Sequence, residues 1–273
     1  MTRGMLGTTA VRESVEICGA RLEYHRRQPT TDRKLGPVVL LHPWFGCWQF
    51  WRHTVDALPE FDTYAVNLYS LGAGAGWRDY ASPEGLARAV VAMIESLGLA
   101  PCALMGNSMG GIAAQQLAAT RPALIDKLVL VGTGARTVGV KPEFRRSLDK
   151  WITGGEDRDF TQRLVDALLA RRPEDPHEFE SFVEMVASAN KAFMGTVLTN
   201  AFELDLRPVL PLITASTLII RGALDAARTP VHVQEMHEEI RKSKAVEIPD
   251  AGHSPQVDSP QVFNALVRDF LLE

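Results

Sequence analysis

Between residues 101 and 120 an apolar stretch, Pro101-Cys102-Ala103-Leu104-Met105, runs through Gly106-Asn107-Ser108-Met109-Gly110 into a helical stretch rich in alanine and glutamine, Ile112 to Thr120. This reads as a strand, a sharp turn and a helix, with a serine at the apex. Such a turn drives the serine backbone to a positive φ that is strained for any residue except glycine. Glycines two positions to either side remove the Cβ atoms that would block it. The turn lifts the serine Oγ clear of a sheet, where a histidine can reach it from one side and a carbonyl from the other. It also sets the Met109 amide at the start of a helix, where a developing oxyanion is stabilised.

The rest of the chain alternates strand and helix. Val15 to Ile17 and Leu22 to His25 read as a short antiparallel opening pair, and Pro37-Val38-Val39-Leu40-Leu41 as a strand buried on both faces of a largely parallel sheet. A helix follows at about Trp48 to Leu58, then a strand over Thr63 to Leu68. The loop Leu71-Gly72-Ala73-Gly74-Ala75-Gly76 lacks a P-loop lysine and leads directly into no helix, so nucleotide binding is not expected of it. Ser82 can cap the next helix, with Pro83 in its first position. Further strands are expected at Lys127 to Val131, Thr217 to Arg221 and Lys244 to Ile248. Between Val131 and Thr217 the pattern is helical: Glu143 to Trp151, Asp159 to Ala170, Pro176 to Ala189 and Ala192 to Ala201. An insertion of that length is too long for a loop, so it should fold as a cap above the strand carboxyl ends, where open sheets bind ligands. The fold class is therefore α/β: a mostly parallel, twisted, eight-stranded sheet flanked by helices, with a helical cap inserted after strand 6. The expected division is a core of residues 1–134 and 206–273 and a cap of residues 135–205.

A net charge of −4 gives no electrostatic reason to expect nucleic acid. Arg26-Arg27, Arg145-Arg146 and Arg171-Arg172 are isolated basic pairs suited to solvated faces. Met1 to Val11 lack a signal-peptide core, and no run approaches the roughly 18 apolar residues that span a bilayer, so a cytoplasmic protein with no membrane partner is expected. Cys18, Cys47 and Cys102 are odd in number and widely spaced, as reduced thiols would be. Cys47 lies near the expected site. His232 and His237, five apart, do not share a helical face as a metal pair would, so neither metal nor cofactor is expected.

A serine nucleophile needs a base, and the base an orienting acid. His253 sits in Pro249-Asp250-Ala251-Gly252-His253-Ser254-Pro255, just past the final strand, and Asp225 just past the preceding one, in Arg221-Gly222-Ala223-Leu224-Asp225. Asp250 and Asp205 are poorer alternatives for the acid. All three candidates follow strand carboxyl ends, so one sheet edge can gather them. With these segments the chain resembles the α/β-hydrolase family over nearly its whole length, from Leu40-Leu41-His42 through Gly106-Asn107-Ser108-Met109-Gly110-Gly111 to Ala251-Gly252-His253-Ser254-Pro255. The order Ser108, Asp225, His253 is the order of that arrangement. The resemblance implies that Ser108 attacks, His253 shuttles the proton and Asp225 fixes its tautomer. It also implies an oxyanion hole built from the amides of Met109 and Trp44, and a structural role for His42 beneath that loop. One departure is Pro43, where family members usually have glycine; proline removes an amide, and Phe45 is then an alternative donor.

Trp44-Phe45-Gly46-Cys47-Trp48-Gln49-Phe50-Trp51 holds three of the five tryptophans. Phe50 and Trp51 are assigned to core packing, whereas Trp44 and Phe45 would give the pocket an apolar, π-rich wall. Asn107, Val138, Trp151, Phe193 and Leu224 complete the expected substrate-binding set. A serine at the elbow excludes the aspartyl-ester chemistry of haloalkane dehalogenases and epoxide hydrolases. The elbow is similar to that of meta-cleavage-product hydrolases, and the closing segment to enol-lactonases and small carboxylesterases. The expectation is hydrolysis of an ester or lactone of a small hydrophobic or aromatic substrate. The alternatives are carbon–carbon hydrolysis of a vinylogous diketone, a cofactor-free lyase or cyclase, and a small-molecule receptor. A homodimer is left open.

Overall fold

The computed structural model describes residues 10–137, 142–153 and 158–273. Its eight strands are β1 (Val11–Ile17), β2 (Ala20–Arg27), β3 (Leu35–Leu41), β4 (Phe61–Asn67), β5 (Cys102–Asn107), β6 (Ile125–Val131), β7 (Ser216–Gly222) and β8 (Ser243–Ile248). They form one sheet in the order β1-β2-β4-β3-β5-β6-β7-β8. β2 is antiparallel to both of its neighbours, and every other pairing is parallel. The expected eight-stranded, mostly parallel sheet is thus observed, and β1 extends four residues further toward the N-terminus than its apolar pattern suggested because it pairs with β2 along its full length.

The continuous apolar runs follow from burial on both faces. Val39, Leu41, Leu104, Leu128 and Leu130 belong to one hydrophobic cluster. Their chain neighbours Val38, Leu40, Ala103, Val129 and Val131 belong to a second, on the opposite face. The period of two along each strand sends successive side chains to opposite layers.

The second cluster packs under α1 (Arg52–Ala57) and the C-terminal helix. Phe50 and Trp51, in a short 3-10 turn before α1, are fully buried as expected. The first cluster is covered by α2 (Pro83–Ser96) and α3 (Met109–Thr120). Ser82 accepts a hydrogen bond from the Gly85 amide (3.0 Å), with Pro83 at the first helical position, so α2 starts where its cap dictates.

Between β6 and β7 lie α4 (Pro142–Thr153), α5 (Arg158–Asp166), α6 (Pro176–Ser188) and α7 (Lys191–Phe202). Their apolar faces turn inward: Phe182 of α6 meets Phe50 with ring centroids 4.4 Å apart, and Phe193 of α7 packs over Gly72, where a Cβ would collide with its ring. The glycine-rich loop therefore seats α7. Asn190 and Asn200 tie the same helix to the Gly72 and Ala81 carbonyls (2.8 and 2.7 Å).

The chain closes through α8 (Pro230–Glu239), α9 (Pro255–Asp258) and α10 (Pro260–Leu272). Asp258 accounts for the early end of α5, which the pattern carried to Ala170. Its Oδ1 takes the Ala170 amide (2.9 Å) and its Oδ2 the Gly252 amide (2.7 Å), which pulls the chain out of the helix and joins the α5–α6 connection to the loop that carries His253. Among the described residues, no helix is long and apolar enough to cross a membrane.

Candidate active site

Ser108 stands between β5 and α3 with φ 54°. A Cβ on Gly106 would lie on the Gly110 carbonyl, and a Cβ on Gly110 would lie on the Leu41 carbonyl. Only glycine fits at either position, which is why the turn can form. The Ser108 amide donates to the Val131 carbonyl (2.9 Å), and the Ser108 carbonyl accepts from the Ile112 amide (2.9 Å) and the Thr133 hydroxyl (2.8 Å). These bonds hold the strained conformation in place.

His253 and Asp225 come from the loops after β8 and β7 and are both buried. His253 Nδ1 lies 2.8 Å from Asp225 Oδ2, while Asp225 Oδ1 accepts the amides of Ala227 (2.8 Å) and Arg228 (3.0 Å). Burial pushes the Asp225 carboxyl up, but the bond to His253, its charge and the two amides together outweigh burial and hold the group below its ordinary value. With Nδ1 bonded to a carboxylate, the neutral ring carries its hydrogen there and keeps a lone pair on Nε2. That is the tautomer a general base requires.

The loop after β3 forms a tight turn in which the Gly46 amide donates to the Pro43 carbonyl (3.0 Å) and Phe45 takes φ 66°. The turn needs no amide from residue 43, so proline is accommodated. The Phe45 amide donates to the buried Tyr69 hydroxyl (2.9 Å) and is committed there. The amides of Trp44 and Met109 make no hydrogen bond among the described residues, and both residues line the cavity that holds Ser108 and His253. Beneath the turn, His42 lies between the Pro43 carbonyl (2.9 Å from Nδ1) and the Leu68 amide, which donates to Nε2 (3.1 Å). Burial pushes its basicity down, to a pKa of about 4, so it is a neutral structural ring.

The cavity has a volume of about 830 Å³. Its walls come from the Trp44–Phe45 turn, Met109 and Ile112 of α3, and Phe144, Leu164, Leu168, Leu198 and Phe202 of the inserted helices and their connections. Among the described residues, Thr137 and Arg228 are the polar ones that line it besides Ser108, Asp225 and His253.

Residues 38–266 match the model of the alpha/beta hydrolase family. The chain belongs to that family. It is 27% identical to a probable esterase of Oryza sativa subsp. japonica, over 88% of this chain and 93% of that one. It is 29% identical to the karrikin insensitive 2 receptor CA of Petunia hybrida, over 82% and 87% of the two chains. The crystal structure of the enol-lactonase from Burkholderia xenovorans LB400 superposes with a TM-score of 0.83 at 22% identity, over 96% of this chain and 100% of that chain. That likeness is one of fold.

In this alpha/beta hydrolase, Trp44, Phe45 and Leu224 reach the cavity as the sequence suggested. Three other expected lining residues do not. Asn107 is fully buried; its Nδ2 donates to the Val131 (2.9 Å) and His253 (3.0 Å) carbonyls, and its Oδ1 accepts from Ser254 Oγ (3.0 Å) and Gln256 Nε2 (2.8 Å). It fastens the histidine loop to the sheet. Trp151 lies behind Phe45, edge-on at 5.9 Å, with its indole nitrogen on Thr161. Phe193 sits between Trp44 and Trp77, at 5.9 and 6.1 Å. Val138 lies outside the described residues. Cys47 is fully buried and does not line the cavity, and burial pushes its thiol far up, so it is an inert neighbour. The lining residues that sequence reasoning missed include Ile112 and Arg228. Ile112 stands four positions after Ser108 in α3, on the same helical face. Arg228 lies three positions after Asp225, in a loop with no periodicity to mark it.

Proposed function

We propose that the protein is a serine hydrolase that cleaves an ester or lactone of a small substrate with an apolar body, through an acyl-enzyme on Ser108. The observation that carries this reading is the Asp225–His253 hydrogen bond of 2.8 Å at one end of a cavity that also contains the apex of the Ser108 turn. Ser108 Oγ adds to the carbonyl carbon as His253 Nε2 takes its proton. The oxygen of the tetrahedral intermediate draws on the Trp44 and Met109 amides, each such donor contributing about 2.7–4 kcal/mol. His253 then passes its proton to the leaving alkoxide as the carbon–oxygen bond breaks. Water repeats the sequence in reverse on the acyl-enzyme, with His253 as base, and frees the acid and Ser108. The Asp225 carboxylate stabilises the imidazolium in both halves.

The likeness to a petunia receptor supports a second reading, in which the same cavity retains its ligand and turnover is negligible. Turnover of p-nitrophenyl esters from acetate to octanoate separates the two. The hydrolase reading expects many product molecules per protein and a loss on the order of 10⁴-fold in kcat for Asp225→Asn, which leaves His253 in the wrong tautomer. At most one product molecule per protein, with ligand binding intact, would favour the receptor.

A further inference from the structure

One charged side chain at the cavity has no partner among the described residues. Arg228 is only partly exposed, its Nε is buried without a hydrogen-bond partner, and none of its guanidinium nitrogens bonds or ion-pairs with a described residue. The groups around it are already engaged. Asp225 gives one oxygen to His253 and the other to the amides of Ala227 and Arg228. Arg221 is held by Glu247 and by the Arg228 carbonyl (2.6 Å). His232 accepts the Thr229 amide on Nδ1 (3.1 Å), so its buried, unpartnered Nε2 is a further donor and offers nothing to Arg228.

A guanidinium that gives up hydration without gaining acceptors is unfavourable by several kcal/mol in general. A ligand oxygen pair would reverse that. We propose that Arg228 is the specificity-determining residue of this site, and that the substrate is an ester or lactone that also bears a free carboxylate. This rests on the hydrolase reading given above. The planar fork of arginine matches a carboxylate with two parallel N–H···O bonds. A monoanion fits better than a phosphate dianion, because a single cation with the Asp225 carboxylate close by balances only one negative charge. Among the described residues the lining is otherwise apolar apart from Thr137, whose hydroxyl donates to the Ala201 carbonyl (3.2 Å), and the candidate catalytic groups. The carbon skeleton between the two carbonyl ends therefore meets hydrocarbon.

The test compares p-nitrophenyl hexanoate with the mono-p-nitrophenyl ester of adipate, which differs by a terminal carboxylate. The wild type should prefer the charged ester in kcat/KM by about 10- to 100-fold, the range of a charge-assisted hydrogen bond. In Arg228→Gln that ratio should fall to about one, and Arg228→Lys, which keeps the charge without the fork, should fall between. No preference in the wild type, a preference that survives Arg228→Gln, or an equal loss on both esters would overturn the assignment. Calorimetric binding of monomethyl adipate and methyl hexanoate to Ser108→Ala, with and without Arg228→Gln, reads the same selectivity without turnover. If neither ester is hydrolysed yet Ser108→Ala binds the charged ligand through Arg228, the hydrolase reading fails and the recognition stands. Equal binding of the two ligands overturns the recognition alone.

Discussion

Ser108 and Asn107 are chain neighbours with different work. Ser108 lines the cavity, whereas Asn107 is fully buried and makes four hydrogen bonds that fix the carbonyl of His253 and the side chains of Ser254 and Gln256. Asn107→Ala leaves those buried groups without partners, at about 1–3 kcal/mol for each one left unsatisfied. We expect it to lower stability to urea by at least about 3 kcal/mol, and to lower kcat more than it raises KM, because His253 is displaced while the apolar walls remain. Unchanged unfolding and kinetics would refute that role. The order of Ser108, Asp225 and His253 was legible because each follows the carboxyl end of a strand. The place of the Asn107 side chain was not legible, because proximity in the motif says nothing about which side of a strand end a residue occupies, and alternation along the strand sends it away from Ser108. Arg228 left no signal in the sequence, since a loop arginine acquires meaning only from the partners it lacks.

At the scale of elements, the apolar pattern located the eight strands and the helices as far as α7, with errors at the ends, whereas α8, α9 and α10 were not read from it. Those ends are set by tertiary partners. α5 stops at Asp166 because Asp258, 88 residues beyond Ala170 in the chain, captures the Ala170 amide. β1 runs longer because β2 offers it a full ladder. The inserted helices were recognisable from their apolar stripes, but a stripe reports that a face is buried without saying against what. Trp151 and Phe193 therefore passed for pocket walls, although they form the layer behind them: Trp151 supports Phe45, and Phe193 supports Trp44, whose indole nitrogen donates to the Met194 carbonyl of α7 (3.0 Å). Through that bond one residue joins the inserted helices to the turn whose amide is the proposed oxyanion donor.

For the whole molecule, the clearest expectation concerns acid. Burial pushes the pKa of His42 from 6.5 to about 4, and burial, reinforced by Arg12, does the same to His25; burial and the nearby Arg228 lower that of His232. The unfolded chain takes up protons on these rings below pH 6.5 while the folded chain refuses them. Their contribution is therefore complete above pH 6.5 and lost as pH falls toward about 4. The fully buried His42 alone accounts for about 3 kcal/mol, at about 1.4 kcal/mol per pH unit. Urea midpoints should fall between pH 7 and pH 4.5, and less steeply in His42→Asn; a midpoint flat over that range would contradict the burial of these rings as neutral groups. Sheet order, sheet direction and the place of the insertion fit a single arrangement in which three strand ends bring the candidate nucleophile, acid and base to one cavity. The most direct test of that arrangement is intact-mass spectrometry after exposure to a fluorophosphonate, with Ser108→Ala alongside. One adduct is expected on the wild type and none on the variant; a folded wild-type protein that remains unlabelled, or a variant that is labelled equally, would contradict an activated serine at position 108.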